Sequence, residues 1–197
     1  GLTIDDAFCS PDRNPSPMLG DVHALLKEHE AKATFFAMLQ GFRYVDHPAV
    51  KQLLSDGHEM GNHCVSDKPY SKASEFGFEA ALEKTAESIE ALQGFRTPWF
   101  RAPHGKLSPI MQRVLERHGL INIMVDCYAN DPFIPDAQYL ADFILRYVED
   151  GSIVLLHMPE RGFREWNFEA LNLVLEGLKI QGLKPLTISE LHTRATS

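Results

Sequence analysis

The strongest limit on the fold is an alternation in which strand-sized apolar runs are each followed by a stretch of helical periodicity. GLTIDDAF (residues 1–8) reads as a strand and residues 9–17 as a proline-rich loop. In residues 18–31, Leu19, Val22, Leu25 and Leu26 recur at helical spacing. KATFFAM (32–38) precedes a helix over 46–57 that starts near Asp46 and stops at Gly57. HEMGNH (58–63) precedes a long helix over 74–94, and WFRAP (99–103) precedes one over 108–119 with a Ser cap, a Pro at the first position and a closing Gly. LINIMVD (120–126) and SIVLLHM (152–158) flank a helix over 136–151. A helix over 167–182, a strand near 184–188 and the start of a last helix at 189–192 complete the chain. Parallel strands need crossovers of this length, so about seven such strands imply one mainly parallel sheet. An open doubly wound sheet and a barrel both satisfy the alternation.

With 197 residues and no repeat, low-complexity tract or linker, the chain reads as one domain over residues 1–197, large enough for a core without disulfides. Its net charge of −8 argues against a nucleic-acid partner, since such surfaces concentrate Lys and Arg. No apolar run reaches membrane-spanning length, and the opening residues read as a core strand rather than a signal peptide. The three cysteines, Cys9, Cys64 and Cys127, have no framework spacing and read as small buried residues.

The unusual polar residues gather where the predicted strands end. Asp5 and Asp6 close the first run, and His63 and Asp67 follow the third. Arg101 and His104 follow the fourth, Asp126 and Asp131 the fifth, and His157 the sixth. Ligands of parallel α/β sheets collect beyond the carboxyl ends of strands. Each residue alone has an ordinary explanation as a turn, a cap, a surface ion pair or a core histidine. Chance scattering, however, would put half of them at the opposite edge. His63 and Asp67 are four apart, which on a helical turn puts both on one face, as in zinc-binding His pairs. A third oxygen from Asp6 would leave one zinc position for water. His58 lies out of phase with His63 and is assigned to the core. Asp5 and Asp6 reach one site only if the chain bends there, which Ala7 and the following loop permit.

These residues resemble the motifs of the NodB-homology polysaccharide deacetylases, carbohydrate esterase family 4. LTIDDA, GHEMGNHCVSD, FRAPHG, VDCYANDP and IVLLHM are similar, in order, to the family's five motifs and span nearly the whole chain. The resemblance implies a distorted (β/α) barrel of about seven parallel strands, selecting barrel over open sheet. It also implies a divalent metal, zinc first with manganese, cobalt and nickel as alternatives, held by Asp6, His63 and Asp67. Asp5 would be the general base oriented by Arg101, and His157 the general acid whose charge Asp131 sustains. His104, with Pro103 beside it, would serve the oxyanion and Leu155 the acetyl pocket. The implied reaction removes N-acetyl groups from N-acetylglucosamine-containing glycans, chitin-like or peptidoglycan-like, through a water acidified by the metal. The family also suggests a secreted or cell-surface setting.

Three positions depart from the family pattern. Most relatives carry a second histidine where Asp67 stands. Two carboxylates would neutralise more of the ion's charge and shift preference toward harder ions such as manganese. Pro132 stands at the usual Trp of the fourth motif and His104 at the usual Tyr of the third. Both normally shape a sugar groove, and Trp166 or Trp99 is a candidate to stack on a sugar instead. Two other functions fit the same residues: an O-acetyl esterase or hydrolase of a non-sugar amide or cyclic amide, and an inactive carbohydrate-binding descendant.

Overall fold

Strand β1 (Leu2–Ala7) is buried at every residue and sits inside the sheet, hydrogen-bonded in parallel to β2 (Thr34–Ala37) and β7 (Val154–His157). Leu2 and Ile4 belong to the main core, while the alternate residues Thr3 and Asp5, also buried, face Arg101 from the other side of the strand. These positions come from a computed structural model that describes residues 1–9 and 16–196; most of the predicted loop 9–17 lies outside them. Beyond β2 lie β3 (Glu59–Asn62), β4 (Trp99–Phe100) and β5 (Ile121–Asn122), and beyond β7 lies β6 (Cys127–Tyr128). The order is β5-β4-β3-β2-β1-β7-β6, with every pairing parallel. This sheet curls into a distorted (β/α) barrel whose ladder stays open between β5 and β6.

Two predicted strands need correction. LINIMVD is not one strand but splits, its start joining one sheet edge as β5 while the residues after it cross the gap to β6 at the other edge. Residues 184–188 form no ladder. The carbonyls of Pro185 and Leu186 accept from Lys32 and Leu2 at single points, and Thr187 already caps the last helix. One strand gained and one lost leave the count at seven.

Among the described residues seven α-helices form, five starting on a capping side chain and two without one. They are α1 (Leu19–Glu28), α2 (His47–Ser55), α3 (Glu75–Gln93), α4 (Pro109–Arg117), α5 (Ala137–Tyr147), α6 (Trp166–Ile180) and α7 (Ile188–Ala195). Side chains of Asp46, Ser74, Ser108, Asp136 and Thr187 each accept a first-turn N–H, and α3 ends on left-handed Gly94. The main core lies between β1, β2 and β7 and the helices α1, α2, α5 and α6, centred on side chains such as Ile4, Leu26, Phe35, Leu156 and Val174. Each such side chain contributes roughly 2 kcal/mol by leaving water. A smaller cluster under α3 and α4 includes Phe78, Leu82, Phe100 and Met111. All three cysteines are buried free thiols. No described helix is long and apolar enough to cross a membrane.

Candidate active site

The ladder slips between Ile4 and Ala7, and Asp6 adopts a left-handed backbone with φ 54°. This is the bend that lets neighbouring aspartates face one site. Such a conformation is costly for a residue with a Cβ and persists only where the surroundings fix it. Cys64, His104, Asn130 and Arg164 share it at the ends of the other strands or in the loops beyond them. Asp5 Oδ1 accepts from Arg101 Nη1 at 2.6 Å. The guanidinium is fixed in turn by Thr3 Oγ1 at 2.8 Å, the Ile123 carbonyl at 3.0 Å and the ring of Phe36, 4.1 Å below its central carbon. Arg101 is therefore a buried clamp rather than a surface ion pair.

His63 follows β3 and faces the Arg101 carbonyl through Nδ1 at 2.8 Å. A carbonyl only accepts, so Nδ1 carries a proton, and Nε2 is the nitrogen left to face the carboxylates. That nitrogen lies 3.7 Å from Asp6 Oδ1 and 3.8 Å from Asp5 Oδ2. Asp6 Oδ1 is buried without a hydrogen-bond partner among the described residues. Ligand atoms of Asp6, His63 and Asp67 lie within 4.8 Å of one another. Two carboxylate oxygens, one of them the orphaned buried acceptor of Asp6, and an imidazole nitrogen whose ring is oriented by a carbonyl together fit a divalent cation. The helical-turn rationale for the pair does not hold, because residues 63–70 form an irregular loop. Asp67 swings in from the solvent side, 3.3 Å from His104 Nε2. Burial and the Asp6 charge push the Asp67 carboxyl up. Burial also opposes ionisation of Asp6, but the charges of His157, Arg164 and His63 outweigh it and hold that carboxyl low.

Across the cleft, His157 ends β7 and its Nδ1 meets Asp131 Oδ1 at 2.9 Å. Asp131 is fully buried. Its Oδ2 accepts from the His157 backbone at 2.8 Å and from Asn167 Nδ2 at 2.5 Å, and its carbonyl takes the Trp166 indole N–H at 2.9 Å. Burial lowers the His157 pKa, yet the Asp131 charge and hydrogen bond, with Asp6 and Asp5 beyond, raise it to about 9. The imidazole is thus cationic at neutral pH.

These groups line a cleft of about 440 Å³ with His104, Leu155, Tyr128 and Phe133. Pro103 is buried in the turn beneath His104 and is not part of the wall. Trp166 is half-buried, packs on the core and holds Asp131 through its indole N–H, and it does not line this cleft. Trp99 is buried and bonds Ser189. Asp126 precedes β6 instead of following a strand, and its carboxylate accepts from Ile153 N–H away from the cleft. His58 accepts from Ala33 N–H in the core, as its phase predicts. Arg164 is the cleft residue that the sequence reading passes over. It is buried, 2.8 Å from Asp6 Oδ2, in a loop where Arg161 is an equally charged neighbour and nothing local distinguishes the two.

Comparison with known proteins agrees with this arrangement. Residues 1–123 match the family model described as polysaccharide deacetylase. A peptidoglycan-N-acetylglucosamine deacetylase of Bacillus cereus is 30% identical over 96% of this chain and 86% of its own length; of a second Bacillus cereus protein of that name the chain spans 66%. Among solved structures, the family 4 carbohydrate esterase domain of a xylanase from a Trinervitermes trinervoides hindgut metagenome aligns over 100% of this chain and 90% of its own, with TM-score 0.86 and 26% identity. A family 4 pseudoenzyme from Bacillus anthracis aligns over 97% of this chain and 64% of its own, with TM-score 0.82 and 27% identity. With five ordered motifs converging on one cleft of a barrel of this kind, the chain belongs to the polysaccharide deacetylase family, the NodB-homology domains of carbohydrate esterase family 4.

Proposed function

We propose that this protein is a metal-dependent hydrolase that removes N-acetyl groups from N-acetylglucosamine-containing glycans, chitin-like or peptidoglycan-like. The observation that carries the reading is a pair of groups suited to opposite proton transfers on either side of the Asp6–His63–Asp67 cluster. A carboxylate clamped by Arg101 faces an imidazolium sustained by Asp131. A divalent ion held by Asp6, His63 and Asp67, zinc first among manganese, cobalt and nickel, would polarise the acetyl carbonyl and acidify water. Arg101 holds Asp5 Oδ1, so Oδ2 is the oxygen turned toward His63 and free to take the proton of the attacking water. The backbone N–H of His104 stabilises the developing oxyanion, and Leu155 walls the acetyl group. His157 then gives its Nε2 proton to the departing nitrogen, which leaves poorly as an anion. Trp166 and Asn167 act indirectly by holding Asp131. Phe133, 79% exposed at the rim, presents the ring that Trp166 does not.

The sugar class rests on the names of relatives, peptidoglycan-N-acetylglucosamine deacetylases among them. Acetate release from acetylated chito-oligosaccharides, peptidoglycan and acetylated xylan, each with protein loaded with zinc, manganese, cobalt or nickel, tests it. Release from xylan alone would make the protein an O-acetyl esterase. A non-catalytic reading is favoured by the likeness to a family pseudoenzyme and by the Arg164–Asp6 ion pair. Against it stand the complete Asp5–Arg101 and His157–Asp131 pairs, and no release from any glycan with any of the four metals would establish it.

A further inference from the structure

One buried charge in the cleft has no part in the mechanism above. Arg164 is 4% exposed at its side chain, yet it cannot lose its proton and so is a permanent cation. Its Nη1 lies 2.8 Å from Asp6 Oδ2, its Nη2 3.7 Å from Glu160 Oε1, and its central carbon 4.7 Å from the Phe163 ring. The backbone is left-handed there, φ 54°, so the loop is bent to aim this side chain inward. Nε and Nη2 are both buried without a hydrogen-bond partner among the described residues. A guanidinium left this incompletely bonded is expensive, and only nearby negative charge offsets it.

The contact divides the work of Asp6. Oδ2 is taken by Arg164, while Oδ1 is left buried, unpartnered and facing His63. A charge count shows what the division achieves. With a neutral ligand at position 67, the cluster would present the single charge of Asp6. Asp67 adds one negative charge, and Arg164 adds one positive charge on the opposite side of Asp6. We propose that Arg164 is a positioning residue and fixed counter-charge of the cation site, pinning Asp6 so that Oδ1 is the ligand atom and cancelling the extra charge that Asp67 brings. Asp67 and Arg164 then form a compensating pair through Asp6, and the ion keeps more of its polarising power than two free carboxylates would leave it. This rests on the reading of Asp6, His63 and Asp67 as a cation site.

Cobalt(II) alone is the probe, titrated calorimetrically and followed by its visible absorption in the wild type, Arg164→Gln and Arg164→Lys. Glutamine still donates to Oδ2 but carries no charge, so Arg164→Gln should bind cobalt about tenfold tighter or more. Arg164→Lys keeps the charge and should stay within about threefold of wild type. Arg164→Gln binding no tighter than wild type overturns the proposal while leaving the cation site standing. Failure of the wild type to bind cobalt overturns both. Should Arg164→Gln not fold, nitrogen-detected NMR of the wild-type guanidinium decides. Slow side-chain exchange of Arg164 that persists when zinc is added supports a resident counter-charge; loss of that protection on adding zinc shows an arginine displaced by the ion, and refutes it.

Discussion

Asp131→Asn separates the charge of the His157 partner from its shape. The raised His157 pKa, about 9 against an ordinary 6.5, corresponds to about 3 kcal/mol favouring the imidazolium. Asparagine removes the largest opposing influence, so burial brings the imidazole down toward the ordinary 6.5, with Asp6 and Asp5 still acting against it. At pH 7.5 the charged fraction falls from nearly all to about a tenth, so turnover should drop about tenfold from protonation alone. Activity should recover on lowering the pH toward 5.5. The amide also points a donor where Asp131 Oδ2 now accepts from the His157 N–H and Asn167, which costs about 1–3 kcal/mol. The linkage has a defined sign. Because the folded-state pKa is raised, the stabilisation is complete below 6.5 and fades as pH rises through about 9. The stability gap between wild type and variant should therefore shrink across that window by about 3 kcal/mol. Histidine-detected NMR, urea unfolding at pH 6 and 9.5, and a kcat/KM profile provide the readings. An alkaline limb in the same place in both proteins would refute the role assigned to Asp131.

Asp5→Asn leaves Asp6, His63 and Asp67 in place, so cobalt should still bind, while acetate release falls about a hundredfold or more with the proton acceptor gone; undiminished release would take the base role from Asp5. Asp67→Ala should weaken cobalt binding about tenfold or more by calorimetry, and unchanged affinity would put Asp67 outside the ion's ligands. Arg101→Met strands the buried Asp5 carboxylate and should cost about 3–5 kcal/mol in urea unfolding. A loss under about 1 kcal/mol would mean that solvent already reaches the pair.

The sequence states most plainly what depends on local periodicity and caps. Helix ends at Asp46, Ser74, Ser108 and Gly94 fall where single side chains satisfy free backbone groups, so they are legible without a fold. The split of LINIMVD is not, because nothing within these mostly apolar residues says that the two ends serve opposite edges of a curled sheet. The same limit applies to the site. Asp5, His63, Arg101, Asp131 and His157 stand at strand or loop positions that the alternation picks out. Arg164 sits in a loop of irregular backbone, and its partner Asp6 lies 158 positions away. Trp166 shows the same limit: an aromatic near His157 suggests a sugar platform, and sequence does not reveal that its indole N–H satisfies the Asp131 carbonyl outside the cleft lining.

At the gap between β5 and β6 the barrel rim is bridged by a length of backbone and not by a ladder. Residues 123–126 stretch across it, and Ile123, Met124 and Val125 form one wall of the cleft. Their backbone also reports to the catalytic centre, because the Ile123 carbonyl holds Arg101 Nε and Arg101 holds Asp5. Widening the seam to admit a bulkier chain would draw that carbonyl away and loosen the carboxylate two hydrogen bonds further on. The width of the cleft and the fixing of the Asp5 carboxylate thus depend on one short segment, Ile123 to Val125, so a change in the one carries to the other.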